Sequence, residues 1–196
     1  MKKALLFLSF CTAYLAFAGQ GGPDAYGYTW IDSQEPGGPA YNWVDIANPS
    51  DGIQVFGLGD DNVVGPFFIA NNHSFHYYWY DVNQFWIGSN GYIAFNQVNI
   101  ASPFPSIPAS GGPNDFIAGM MSDLKFDGAG NTAECWIGRS SDSTIISFID
   151  VPFWDLTPQG YSGSNTFQII LDNSDSSIYI NVQQQMGRLY VLTAYE

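Results

Sequence analysis

Carboxylates dominate the side chains able to do chemistry here. Asp60-Asp61-Asn62 and Asp172-Asn173-Ser174-Asp175 fall in turn-rich stretches, and Asp123 and Asp127 flank Leu-Lys-Phe in SDLKFDGAGN, with Gly128 and Gly130 following. Calcium takes about six to eight oxygen ligands, which loops of this kind can supply. Asp60, Asp61, Asp123 and Asp127 are therefore calcium candidates, with Ca2+ as the one cofactor considered; the competing reading is that they are solvated loop acids forming Asx turns. The loop is not an EF-hand, because Lys125 stands where a second acidic ligand belongs. A glycosidase needs two opposed carboxyl groups. Asp123, Asp150 and Asp155 are available for such a pair, but nothing in their spacing favours it. His73 and His76 have an H-x-x-H spacing inside a strand-like run, where positions three apart point to opposite faces, so a shared zinc site is not expected. No Gly-x-Ser-x-Gly motif is present, and neither a phosphate-binding glycine loop nor a basic patch occurs.

The first eighteen residues, MKKALLFLSFCTAYLAFA, join two lysines to an apolar run and end in a small-x-small triplet. That is the form of a secretory signal peptide, giving a leader over 1–18 and a mature chain from Gly19. The apolar run is short for a membrane span, and no later stretch is long and apolar enough, so no transmembrane segment is expected after the leader is removed. Without Lys2 and Lys3 the cations are Lys125, Arg139 and Arg188 against 18 acids, a net charge of −15. Such a chain repels phosphate backbones, which excludes nucleic acid as a partner. Cys11 leaves with the leader. Cys135 then stands alone, reads as a small buried apolar residue, and cannot form an internal disulfide. The domain must therefore rest on its core.

The elements that must position these side chains are strands. Short β-branched and aromatic runs, bounded by Gly, Pro, Asn and Asp, recur from Ile53 to Tyr195 at the spacing of an antiparallel sandwich or barrel. In FQIILD, Phe167, Ile169 and Leu171 share a face; in SIYINVQQQ, Ile178, Ile180 and Val182 are expected inside and Tyr179, Asn181 and Gln183 outside. ASPFPSIPASGGPN, Ala101 to Asn114, holds four prolines and reads as a long loop. The fold class is all-β, an antiparallel two-sheet β-sandwich of jelly-roll-like form. Residues 19–196 are expected to make a single domain. The opening stretch GGPDAYGYTWIDSQEPGGPAYNWVDI alternates Tyr26, Tyr28 and Trp30, then Tyr41 and Trp43, and is expected to lay aromatics over the sandwich and one of its edges.

SNGYIAF (Ser89 to Phe95), NDFIAGMMSDL (Asn114 to Leu124), SNTFQIIL (Ser164 to Leu171) and the SIYINV that follows resemble, in their order, extracellular β-domains of the NIDO type. The opening GPDAYGYTWIDSQEPGGPAYNWVDI is similar to a module of secreted and surface proteins of Bacteroidota, many of them cargo of the type IX secretion system. The resemblance runs over most of the mature chain. It implies a sandwich core and a structural place for Asp123 at the end of its strand. It also implies a longer product, because such cargo ends in a sorting domain not visible here and carries one more strand than this chain, which stops at RLYVLTAYE.

The expectation for function is a non-catalytic extracellular structural or adhesive module of a secreted or cell-surface protein, partnered by other domains, surface proteins or glycans. The alternative is a carbohydrate-binding module, for which Trp79, Trp86, Trp136, Trp154 or Tyr161 would have to lie exposed on one face; a glycoside hydrolase is the third reading.

Overall fold

The computed structural model describes residues 19–70, 73–107 and 111–186. The leader and the Leu189–Tyr195 run lie outside the described residues. The chain divides into two compact units, Met1–Ala40 and Tyr41–Glu196. In the first, the short strands β1 (Gln20–Gly21) and β2 (Trp30–Ile31) pair antiparallel. Their glycines are needed: the Trp30 ring lies so close to Gly19 and Gly21 that a Cβ on either would fall within about 2.6 Å of it. Asp24 accepts the amides of Tyr26, Gly27 and Tyr28, and the Tyr26 and Tyr28 rings lie 5.5 Å apart.

The second unit is all-β and antiparallel. Among its described residues eleven strands follow: β3 (Gly52–Val55), β4 (Val63–Phe68), β5 (Phe75–Tyr77), β6 (Tyr80–Val82), β7 (Gln84–Gly88), β8 (Tyr92–Ala94), β9 (Phe116–Ala118), β10 (Glu134–Arg139), β11 (Ser143–Trp154), β12 (Tyr161–Asp172) and β13 (Ser177–Met186). One sheet has the order β13-β12-β11-β10-β3 and the other β4-β7-β8-β9; β5 and β6 form a separate hairpin. Both large sheets contribute to one core. Phe85, Ile87, Ile93 and Ile117 from the smaller meet Val55, Cys135, Ile137, Ile146, Phe148, Phe167 and Ile169 from the larger. Phe148 and Phe167 are paired in register across β11 and β12, and their rings stack at 4.6 Å.

Phe167, Ile169 and Leu171 are fully buried, as the alternation predicts. On β13 the pattern departs from expectation: Ile178 packs on the core, but Ile180 and Val182 are 44% and 43% exposed. The reason is the offset of the sheets. Gly119, just past β9, lies over Phe167 and Ile169 of β12, so the smaller sheet reaches β12 while β13 sits at the outer edge of the larger one. Cys135 is fully buried between its register partners Phe148 and Val55, and burial pushes its thiol pKa far up.

Within the second unit, residues 44–47 cover the outer face of the larger sheet. Val44, Ile46 and Ala47 pack with Trp136, Ile145, Ile149 and Ile170. The buried Gln168 fixes this cover. Its amide nitrogen, Nε2, donates to Val44 O at 2.5 Å and to Ser147 Oγ at 2.8 Å, and its Oε1 accepts Val44 N at 3.2 Å. Tyr41 is itself exposed.

Candidate functional site

The β3–β4 connection, the β7–β8 turn and the segment that leads from β9 to β10 meet on one side of the sandwich. The first is built on Asn62. Its Oδ1 accepts Gly59 N at 2.8 Å, its Nδ2 donates to Gly57 O at 2.7 Å, and its backbone exchanges bonds with Ser89 (Asn62 N to Ser89 Oγ 3.0 Å, Ser89 N to Asn62 O 2.9 Å). This arrangement leaves Asp60 and Asp61 projecting, with Asp61 in the left-handed backbone region at φ 47. The β7–β8 turn is Ser89-Asn90-Gly91 between the paired Gly88 and Tyr92. Gly91 sits at φ 80 and is needed twice, because a Cβ there would also lie 2.2 Å from Met120 O. Such three-residue hairpins favour glycine at the left-handed position.

Residues 123–127 are extended and pinned from both sides. Lys125 N donates to Pro152 O, Trp154 N to Asp123 O and Phe126 N to Gly59 O. Extended backbone places positions two apart on one face, so Asp123, Lys125 and Asp127 line up. Asp60, Asp61 and Asp123 converge, with one carboxylate oxygen from each lying within 4.8 Å of the others. Asp127 is placed differently. Lys125 Nζ lies 2.9 Å from both Asp60 and Asp127, so Asp127 answers the lysine and not the three-carboxylate cluster. Hydrogen bonds from the ammonium to Asp60 and then Asp127 raise the Lys125 pKa, which keeps it charged.

Electrostatically the cluster is underneutralised. Asp60 has Lys125, and Asp61 accepts the Asn90 amide at 2.8 Å. Asp123 has its pKa raised, first by desolvation and then by the negative charges of Asp61 and Asp60, with Lys125 opposing. The fold therefore binds a proton at Asp123 more readily than the unfolded chain does. Stability is lost as pH rises through the carboxylate range toward that raised value. A divalent cation held by the three carboxylates would remove this cost. Lys125 and Asn90 are the participants that composition alone concealed. The available signal for the first was its place between two aspartates at i ± 2.

The other acidic residues serve their own loops. Asp172 accepts Ser174 N and Oγ, and Asp175 accepts Ser177 N; the hydrogen bonds from Ser177 lower the Asp175 pKa. Asp150, at φ 53 beside an irregularity in the β11–β12 ladder, accepts Ser164 Oγ, and Asp155 accepts Ser162 Oγ at 2.6 Å. His76 pairs with Asp81 across the β5–β6 hairpin at 2.8 Å, and not with His73.

Comparison of the chain with protein-family models, with curated proteins and with solved structures finds no match.

Calcium is expected to raise the thermal unfolding midpoint of the purified protein above its value in EDTA at matched ionic strength. At a hundredfold excess over Kd the gain is about 2.7 kcal/mol, or roughly 5–10 °C for a domain of this size. Asp123→Asn is expected to abolish the response while leaving the EDTA midpoint equal or higher, because it removes a desolvated like charge. An unchanged wild-type midpoint would make the cluster a set of solvated loop acids.

Proposed function

We propose that this chain is a non-catalytic extracellular module, a structural or adhesive unit of a secreted or cell-surface protein. The carrying observation is how its carboxylates are employed. Asp24 and Asp172 hold turns, Asp150 and Asp155 each accept a serine hydroxyl, and Asp60 and Asp127 share Lys125. These are the interactions of residues that stiffen loops. A general acid and its partner need one carboxyl kept protonated and another free to attack or to activate water; Asp123 has a raised pKa, but its neighbours Asp60 and Asp61 are engaged by Lys125 and Asn90. The leader-like first eighteen residues, the acidity of the mature chain and the resemblance to secreted Bacteroidota modules support an extracellular setting.

The knitting of the two sheets suits a unit that transmits load. Loop 57–62 enters β4 of one sheet, residues 123–127 bond to β11 of the other, and Asn90 reaches both segments. The test is incubation of the purified protein with a panel of plant and microbial polysaccharides, followed by assay of reducing ends. No release above the blank is expected. Sustained release that disappears in Asp123→Asn would overturn the reading in favour of a glycoside hydrolase.

A further inference from the structure

The β5–β6 hairpin turns through only two residues, Tyr78 and Trp79, between the paired Tyr77 and Tyr80. Tips this tight are the place for Gly, Asn and Asp, which tolerate a left-handed backbone. Here Tyr78 takes φ 50 with a full aromatic side chain. A bulky residue in that region is an outlier that surrounding structure must hold in place. The holding groups are visible. The Tyr77 ring lies 4.6 Å from Phe95 and its hydroxyl donates to Phe116 O at 3.2 Å. Tyr78 meets Tyr77 edge-on at 4.8 Å and packs partly against the core. Tyr80 donates its hydroxyl to Asp115, itself at φ 64. Onto this anchored base the hairpin adds Trp79, 73% exposed, its ring 5.6 Å from that of Tyr78 and inclined by 32°.

Carboxylates flank the hairpin on both faces, Asp81 with the His76 imidazole on one and Asp115 with Tyr80 and the Asn96 amide on the other. Asp81 faces out on the hairpin beside His76, and Asp115 lies 3.5 Å from Asn96 Nδ2. Carboxylates here repel phosphate and anionic headgroups. A quaternary ammonium is better served by several ring faces closing round it, whereas Trp79 is 73% exposed and its ring is inclined by only 32° to that of Tyr78. A neutral sugar ring fits better. Its C–H face complements the negative face of an indole, and its rim of hydroxyls needs carboxylate and amide partners. The other candidate aromatics are less exposed: Trp136 is buried with its Nε1 bonded to Glu134, Tyr161 is half-buried and bonded to Ala129 O, Trp86 is half-buried, and Trp154 is 37% exposed against 73% for Trp79.

We propose that the β5–β6 hairpin tip is a glycan-binding site, in which Trp79 stacks on a neutral pyranose and Asp81, on the outward face of the hairpin, hydrogen-bonds to its hydroxyls. The proposal deepens the adhesive reading above and rests on it. The test is native affinity electrophoresis of the purified protein in gels containing xyloglucan, glucomannan, mixed-linkage β-glucan, xylan or soluble starch. At least one is expected to retard the wild type. Trp79→Ala is expected to lose at least tenfold in affinity with an unchanged melting midpoint, and Trp79→Tyr to keep part of it. No retardation in any gel overturns the site, as does retardation that Trp79→Ala leaves intact. A mobility change in Trp79→Ala that is the same with and without polysaccharide assigns the tip to protein contact and also overturns it. Reducing ends released from a retarding polysaccharide would sink the non-catalytic reading and leave the binding site standing.

Discussion

Asn90→Ala is expected to cost about 3–5 kcal/mol of unfolding free energy, a fall in midpoint of roughly 6–20 °C. Asn90 is fully buried and every polar atom of its amide is used. Nδ2 donates to Asp61 at 2.8 Å and to Ile100 O at 3.1 Å, and Oδ1 accepts Leu124 N at 2.9 Å. Alanine leaves a buried amide N–H and a buried carbonyl without partners, each worth about 1–3 kcal/mol. It also deprives Asp61 of its one described amide donor beside two other carboxylates. Asn90→Asp separates the contributions. The introduced carboxylate keeps an acceptor for Leu124 N but faces Asp61 with like charge, so its loss should shrink as pH falls through the carboxylate range and a protonated acid donates again. Denaturant unfolding at two pH values checks both. A loss under 1 kcal/mol for Asn90→Ala would mean that water replaces the amide and that the turn does not depend on it.

Gly88→Ala should be as severe, for a steric reason. A Cβ at this position would lie 2.0 Å from the ring of Tyr92, its cross-strand partner. The ring cannot swing aside freely. Tyr92 is fully buried, donates its hydroxyl to Val98 O at 3.0 Å and accepts Ile100 N at 2.8 Å. Displacing it combines overpacking, about 1–3 kcal/mol, with an unsatisfied buried amide of similar cost. In a Tyr92→Leu background the same substitution should cost far less, because the atoms that collide are gone. Such coupling between contacting residues is what a double-mutant cycle measures. Equal costs in both backgrounds would place the strain elsewhere.

Much of the fold was legible because its residues obey the period of two. Phe167, Ile169 and Leu171 alternate with polar positions, and a fully buried stripe results. Ile180 and Val182 follow the same rule and yet stand in the open. Alternation says which face a residue joins, but not whether the opposing sheet extends that far. The site was legible in part. Asp60, Asp61 and Asp123 were readable as loop acids, and they meet. That Asp127 turns to the lysine depended on the pinning of residues 123–127 between Gly59 and Pro152, a long-range fact no local window contains. Asn90 read as a turn former, and its amide network emerges only when Ile100 and Leu124 are brought to it. The aromatic tip was hidden for the opposite reason: Tyr78-Trp79 looks like strand interior, and tertiary contacts force it to be a turn.

Cys135 gives the domain a built-in clock. It is the one thiol among the described residues, closed between β3 and β11 and held protonated by its surroundings. An alkylating reagent can reach it only when β10 separates from its neighbours. Where reclosing outpaces alkylation, the labelling rate reports the equilibrium population of that open form, each 1.4 kcal/mol of opening free energy slowing it about tenfold. The rate of thiol capture thus reads the strength of the larger sheet directly, in unheated solution and without an engineered label.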